Sequence, residues 1–307
     1  MPKSEPDLEP ELDLEPDWGD SAATATNVPA GIGTRPGPRP AIVAAMRAVG
    51  VIPARFAASR FPGKPLAEIA GVPMVQRVWE GARQAKRLAR VLIATEDERI
   101  ARACRAFGAE VAMTSPDHPT GTDRIAEVAA GLEEEIIVNI QGDEPLIEGS
   151  VIDAAVDALI AAPDVPMSTV VHPADPDALD DPNRVKVVMD LRGRALYFSR
   201  SRIPHVRDGA TMRMWQHVGL YAYRRDFLLA FVKLATTDLE RAESLEQLRA
   251  LANGHPIQVA TIEGSWRGVP VDVPADIALV EAALRRSSAF PRSEPQASGD
   301  VIGPGRC

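Results

Sequence analysis

Glu135-Ile136-Ile137-Val138-Asn139-Ile140-Gln141-Gly142-Asp143-Glu144-Pro145 holds the most strongly apolar strand candidate of the chain, and it runs into an acidic turn with Gly and Pro. A short apolar run bounded in this way suits a strand buried on both faces of a parallel sheet. Ala48 to Ile52, closed by Pro53, reads the same way. Between the two, Met74, Val75, Val78, Trp79 and Ala82 recur at helical spacing, Arg90–Ala94 reads as a strand, and Asp97 caps a helix through Phe107. Glu110–Met113 is a further strand, and a helix capped by Thr122 leads into the run at Glu135. This βαβαβ succession predicts an α/β fold with a Rossmann-like doubly wound sheet.

The second half reads differently. Met167–His172, Val185–Asp190 and Ala195–Ser199 are strands without intervening helices, which suggests an antiparallel β insertion and a mixed sheet. Val218–Tyr223 is another strand; helices at 225–234 and 238–252, a strand at 256–262 and a helix at 275–286 complete the body.

Residues 1–45 contain eight prolines and alternating acids, so they cannot bury enough apolar surface to offset their ordering entropy. We expect a disordered tail there, dispensable for catalysis, with ordered structure beginning near Met46. Gly31, Gly33 and Gly37 imitate a phosphate-binding run, but prolines interrupt them and no strand precedes. Residues 287–307 form a second loose tail, which leaves one domain over 46–286.

The 307 residues are 45% hydrophobic and 25% charged, with a net charge of −9, which excludes a disordered, collagen-like or disulfide-scaffold protein. Residues 1–20 alone carry −7, so the other 287 net only −2. That balance gives no basic nucleic-acid surface. Cys104 and Cys307 are too few for a disulfide framework or a structural zinc site, and Cys104 reads as helix packing. No apolar run approaches the roughly 20 residues that span a bilayer. A soluble, cytoplasmic protein is expected.

Ligands of open α/β sheets bind beyond the carboxyl ends of the strands. Three segments fall there. After the first strand, Arg55, Ser59, Arg60 and Lys64 lie among small residues in a loop ending Pro62-Gly63-Lys64-Pro65, a pattern that suits a polyanion or a merely solvated loop. Asp143 follows the deepest strand, and Asp272 precedes a helix opened by Pro274. Each carboxylate alone reads as a helix cap or as a ligand for a hard cation. Together, two strand-end carboxylates facing a cationic loop describe a metal–nucleoside-triphosphate site.

Pro53-Ala54-Arg55 with Ser59-Arg60-Phe61-Pro62-Gly63-Lys64-Pro65-Leu66 resembles the CTP-binding loop of the CMP-Kdo synthetases, the 3-deoxy-manno-octulosonate cytidylyltransferases. Thr120-Gly121-Thr122-Asp123-Arg124, Asn139 to Pro145, Asn183 to Val188, Ala195 to Arg200, His217 to Arg224 and Leu245-Glu246-Gln247-Leu248-Arg249 continue the resemblance in order, over about Ala48 to Arg286. Val273 departs from it, standing where the family usually has Thr, as does the segment Glu263-Gly264-Ser265-Trp266-Arg267.

The resemblance implies a nucleotide-diphospho-sugar transferase type of fold and transfer of CMP from CTP to the anomeric hydroxyl of Kdo, with Mg²⁺ and release of pyrophosphate. Lipopolysaccharide biosynthesis and a homodimer are implied with it. By matching, Arg55, Ser59, Arg60 and Lys64 bind the triphosphate, and Arg124 and Gln141 the nucleotide. Asp143 and Asp272 hold Mg²⁺; Lys64, Arg55 and the two aspartates form the catalytic set. Arg200, His217, Tyr221 and Gln247 line the sugar pocket. Activation of a related ulosonic acid is one alternative, and a non-enzymatic nucleotide-binding regulator, which need not retain Asp143, Asp272 and Lys64, is another.

Overall fold

The computed structural model describes residues 46–57, 61–207, 212–263 and 268–289. The expected tail over 1–45 lies outside these residues, as do 290–307. The first half of the chain gives β1 (Ala48–Pro53), a hairpin of β2 (Glu68–Ile69) and β3 (Val72–Pro73), α1 (Met74–Ala82), β4 (Leu88–Thr95) and α2 (Glu98–Ala106). Next come β5 (Glu110–Met113), α3 (Gly121–Ala130), β6 (Ile136–Asn139), α4 (Gly149–Ala161) and β7 (Met167–Pro173). The remainder is β8 (Lys186–Met189), β9 (Ala195–Ser199), β10 (Trp215–Arg224), α5 (Arg225–Phe231), α6 (Asp238–Glu243), α7 (Leu248–Ala252), β11 (Ile257–Thr261) and α8 (Asp276–Ala289).

The main sheet runs β11-β7-β10-β6-β1-β4-β5. β1 pairs in parallel with β4 on one edge and β6 on the other, and β4 with β5. β10 is antiparallel to both β6 and β7, while β7 and β11 are parallel. The doubly wound mixed sheet is therefore present. The antiparallel part is narrower than expected, because β7 and β8 both run in the direction of β6 and only β9 and β10 run against them.

Period-two alternation builds a core on each face of the sheet. Ala48 and Ile52 of β1 and Ile136 and Val138 of β6 pack under α1, α2 and α4. Val49, Val51 and Ile137 face the other way, onto α3, α5 and α7. Cys104 sits fully buried in α2, as expected of packing, and burial pushes its thiol up to about 12.

Several local expectations are corrected. The cap of α3 is Thr120, not Thr122: its hydroxyl accepts from the Asp123 N–H while the Asp123 carboxylate accepts from the Thr120 N–H, a reciprocal capping box. Thr122 instead points its hydroxyl at Glu246. The helix expected over 238–252 is two, broken where Ser244 turns left-handed at φ 50°. The last helix opens at Asp276, two residues after Pro274.

Two elements were not foreseen, the β2–β3 hairpin and α4. The N-terminus of α4 lies against the turn that follows α1. A Cβ on Gly149 would stand 2.4 Å from the Ala85 nitrogen and 2.4 Å from the Gln84 carbonyl carbon. Gly149→Ala should therefore lower stability by about 1–3 kcal/mol through overpacking, read as a drop in melting temperature. An unchanged melt would show that α4 can slide away from the turn.

Candidate active site

The order of strands reverses at β1: the chain passes from β1 outward to β4 and β5, then returns to β6 on the other edge. A crevice opens at such a switch point, beyond the carboxyl ends of the strands. It is a cleft of about 240 Å³, walled by Pro53, Ala54 and Arg55 after β1 and by Gln141, Gly142 and Asp143 after β6. Thr120, Gly121 and Arg124 of α3, with Lys64 and Asp272, close it. The two strand ends come close at Gly142, where a Cβ would stand 2.9 Å from the Pro53 carbonyl oxygen. Glycine is needed there for steric reasons.

Arg55, Lys64, Arg124, Gln141, Asp143 and Asp272 are thus brought together as expected. Ser59 and Arg60 lie outside the described residues. The Lys64 ammonium donates to Asp143 Oδ2 at 2.8 Å and to the Val271 carbonyl at 2.5 Å, and stands 3.9 Å from Asp272 Oδ1. Neither aspartate is a helix cap. Glu148 occupies the N-cap position of α4, and the Asp276 carboxylate accepts the backbone N–H groups of Asp272 and Val273. Burial, reinforced by the Asp143 carboxylate, pushes the neighbouring Glu144 carboxyl up to about 8.

Arg124 is buried and held from behind. Its guanidinium lies 2.7 Å from Glu96 Oε2 and donates to Thr114 Oγ1 and the Ser115 carbonyl. Glu96 also accepts the Phe56 N–H at 3.2 Å, so one carboxylate ties the loop after β1 to α3. His118 lines the cleft too, paired with Glu127. Glu96 and His118 were not foreseen, because isolated residues in short turns carry no periodicity or motif spacing.

The four expected sugar residues lie outside the cleft wall, around β10 and the α6–α7 turn. β6 and β8 share one edge of β10: Tyr221 pairs with Asn139, and Gln216 with Lys186. The sheet forks between them at Val218–Leu220, beside Gln141, whose Cγ would be 3.5 Å from a Cβ on Gly219. His217 and Tyr221 flank the fork with ring centroids 5.3 Å apart. The Gln247 amide nitrogen is buried and meets no hydrogen-bond partner among the described residues. Arg200 uses three N–H groups on the carbonyls of Pro182, Glu243 and Ser244, which leaves two of its five.

Thr169 has one hydroxyl proton and gives it to the Leu220 carbonyl at 2.7 Å. The His217 Nε2, 2.9 Å away, must then donate to Thr169, which leaves Nδ1 as an acceptor.

The cytidylyltransferase family pattern matches residues 49–259. The chain belongs to the cytidylyltransferase family. It is 52% identical over 250 residues to the 3-deoxy-manno-octulosonate cytidylyltransferase of Syntrophotalea carbinolica, covering 78% of this chain and 99% of that protein. The enzyme of the same name from Geobacter metallireducens is 51% identical over 255 residues, with 78% and 99% covered. Among solved structures, CMP:2-keto-3-deoxy-manno-octonic acid synthetase complexed with CTP superposes with a TM-score of 0.74 at 42% identity, over 78% of this chain and 99% of that one. Among the described residues no helix of this cytidylyltransferase is long and apolar enough to cross a membrane.

Burial lowers the His217 imidazole to about 3, so it is neutral in the fold at pH 7. An unfolded histidine titrates near 6.5, so below that pH the unfolded chain binds a proton that the folded one refuses. Stability from this group is complete above 6.5 and falls as pH drops towards 3. Chemical denaturation of His217→Asn should show a shallower acid limb, by up to about 1.4 kcal/mol per pH unit. Parallel limbs would show that the imidazole charges freely in the fold.

Proposed function

We infer that this cytidylyltransferase activates 3-deoxy-manno-octulosonate with CTP, giving CMP-Kdo and pyrophosphate. The observation that carries the chemistry is the convergence of Asp143 and Asp272 on one cation, the Lys64 ammonium, at a switch point lined by Arg55 and Arg124. The relatives' shared name carries the choice of sugar.

The same geometry tests the fit of Mg²⁺. Two carboxylates already share one cation, and among the described residues no three His, Cys, Asp or Glu side chains are grouped to hold a metal. A hard cation held by one or two carboxylates and completed by phosphate oxygens is the usual Mg²⁺ arrangement, so Asp143 and Asp272 fit it. When bound, Mg²⁺ neutralises phosphate charge and lowers the pKa of the incoming sugar hydroxyl.

The protein's own part is positioning and charge. Arg55 and Lys64 hold the triphosphate, and Arg124, braced by Glu96, fixes the nucleotide beside Gln141. The sugar enters at the fork of the sheet. There His217 Nδ1 accepts a hydrogen bond from a sugar hydroxyl, the Gln247 amide donates, Tyr221 forms a wall, and Arg200 offers its remaining N–H groups to the sugar carboxylate. The anomeric hydroxyl gives its proton to solvent as its oxygen attacks the α-phosphorus; the bond from that phosphorus to the β-phosphate oxygen breaks, and pyrophosphate leaves with the bonding pair. No protein nucleophile is required, so rate depends on preorganised electrostatics. We extend the reading to a homodimer, carried by the family resemblance alone, working in the cytoplasm, as expected from the sequence.

Pyrophosphate release from CTP and Mg²⁺ across a panel of ulosonic acids should be fastest with Kdo; equal or faster release with another acid would transfer the assignment to that sugar. Asn is isosteric with Asp but uncharged, so Asp143→Asn and Asp272→Asn should each lower turnover by roughly 10²-fold or more with little change in melting temperature. Lys64→Ala and Arg55→Ala should show losses of about the same size. Retained turnover with lost stability would make the aspartates structural.

A further inference from the structure

Lys64 is held at both ends. Its backbone opens a 3₁₀ turn over Lys64–Leu66, preceded by Gly63 in the left-handed conformation at φ 73°. Its ammonium closes a knot between two segments, because the Val271 N–H donates to the Asp143 carbonyl at 3.0 Å while Nζ bonds both residues. Two of three ammonium protons are therefore directed at Asp143 Oδ2 and the Val271 carbonyl, and Asp272 Oδ1 lies 3.9 Å away. This one ammonium lies against both of the carboxylates that would hold a divalent cation.

Resting on the metal reading above, we propose that Lys64 is a tethered counterion, which holds the carboxylate pair until a nucleoside triphosphate draws it away. The pair then accepts a divalent cation only together with the nucleotide. An ammonium and a divalent cation cannot both contact these oxygens without strong repulsion at close range. Lysine suits the exchange, being a compact charge on a flexible four-carbon stem that can swing from carboxylate to phosphate. The incoming triphosphate offers the ammonium a new anionic partner, and the vacated aspartates gain a cation in its place. Charge at the site is compensated in both states.

The test is Mn²⁺ binding to the full chain without nucleotide, followed by electron paramagnetic resonance, with Mg²⁺-dependent melting as a second readout. Lys64→Gln keeps a donor for the Val271 carbonyl but not the charge; it should bind one Mn²⁺ at least about tenfold more tightly than the wild type. Adding Asp143→Asn should abolish that gain. Lys64→Arg keeps the charge and should bind like the wild type. The melting temperature of Lys64→Gln should rise with Mg²⁺ while that of the wild type stays constant. Unchanged or weaker Mn²⁺ binding by folded Lys64→Gln, or tight binding by Lys64→Arg, would overturn the counterion role. A different result separates the underlying reading: if Asp143→Asn and Asp272→Asn leave Mn²⁺ binding of the CTP-loaded protein unchanged, the aspartates hold no metal and both conclusions fall.

Discussion

β1 is hydrogen-bonded to β4 along one edge and to β6 along the other, and the cleft follows from this double pairing. Parallel strands end on the same side, so the segments after β1 and β6 must leave the sheet together and part around whatever lies between them. They part with little room: Gly142 passes the Pro53 carbonyl at a distance that no side chain would permit. The loop bearing Arg55 and Lys64 and the turn bearing Asp143 are thereby fixed opposite each other before any charge is considered. Electrostatics then selects what enters.

The charges near the cleft are arranged in opposed layers. Arg124 reaches the cleft with Glu96 behind it, and Glu96 also anchors the Phe56 N–H. Arg99 covers the other side of that loop, its guanidinium 3.4 Å from the Phe56 ring centroid and paired with Asp97. Arg124, which lines the cleft, thus has a carboxylate on its protein side. A buried guanidinium without such a partner would carry a large desolvation cost, whereas a paired one is oriented by its partner. The pairing of Lys64 differs, because its carboxylates belong to the cleft itself.

Legibility in the sequence followed the range of the interactions. β1, β4 and β6 were visible because parallel strands buried on both faces must be apolar throughout, and the cap at Asp97 because its side chain bonds Arg99 two residues on. α4 was legible but passed over: Val151, Ile152, Ala155, Val156 and Leu159 recur at helical spacing and are the side chains it buries against β7, β10 and β11. The β2–β3 hairpin was missed because Ala70 holds an unusual positive φ of 47°, with its N–H accepted by Glu281 from the far end of the chain. The charged lining of the cleft was legible as charges after strand ends. The residues around the fork in β10 were named only through resemblance, since the fork depends on which strands pair with it. Glu96 acts across 40 residues and left no local trace.

The same reasoning explains how the two halves of the site are joined. Glu246 precedes Gln247, yet its carboxylate does not face the sugar fork alone. It accepts the Thr122 hydroxyl at 2.5 Å, and burial raises its own carboxyl above the usual range. Thr122 lies in the first turn of α3, beside the Thr120 cap and Gly121 that wall the nucleotide cleft. Behind it, Arg249 pairs with Glu240 at 2.5 Å and reaches Glu246 at 3.5 Å, so α6, α7 and α3 share one buried ionic network. The break at Ser244 is what allows this, because an unbroken helix over 238–252 could not set Glu246 on α3 while returning Arg249 to Glu240. Gln247 and the wall of the cleft are therefore joined through two residues, Glu246 and Thr122.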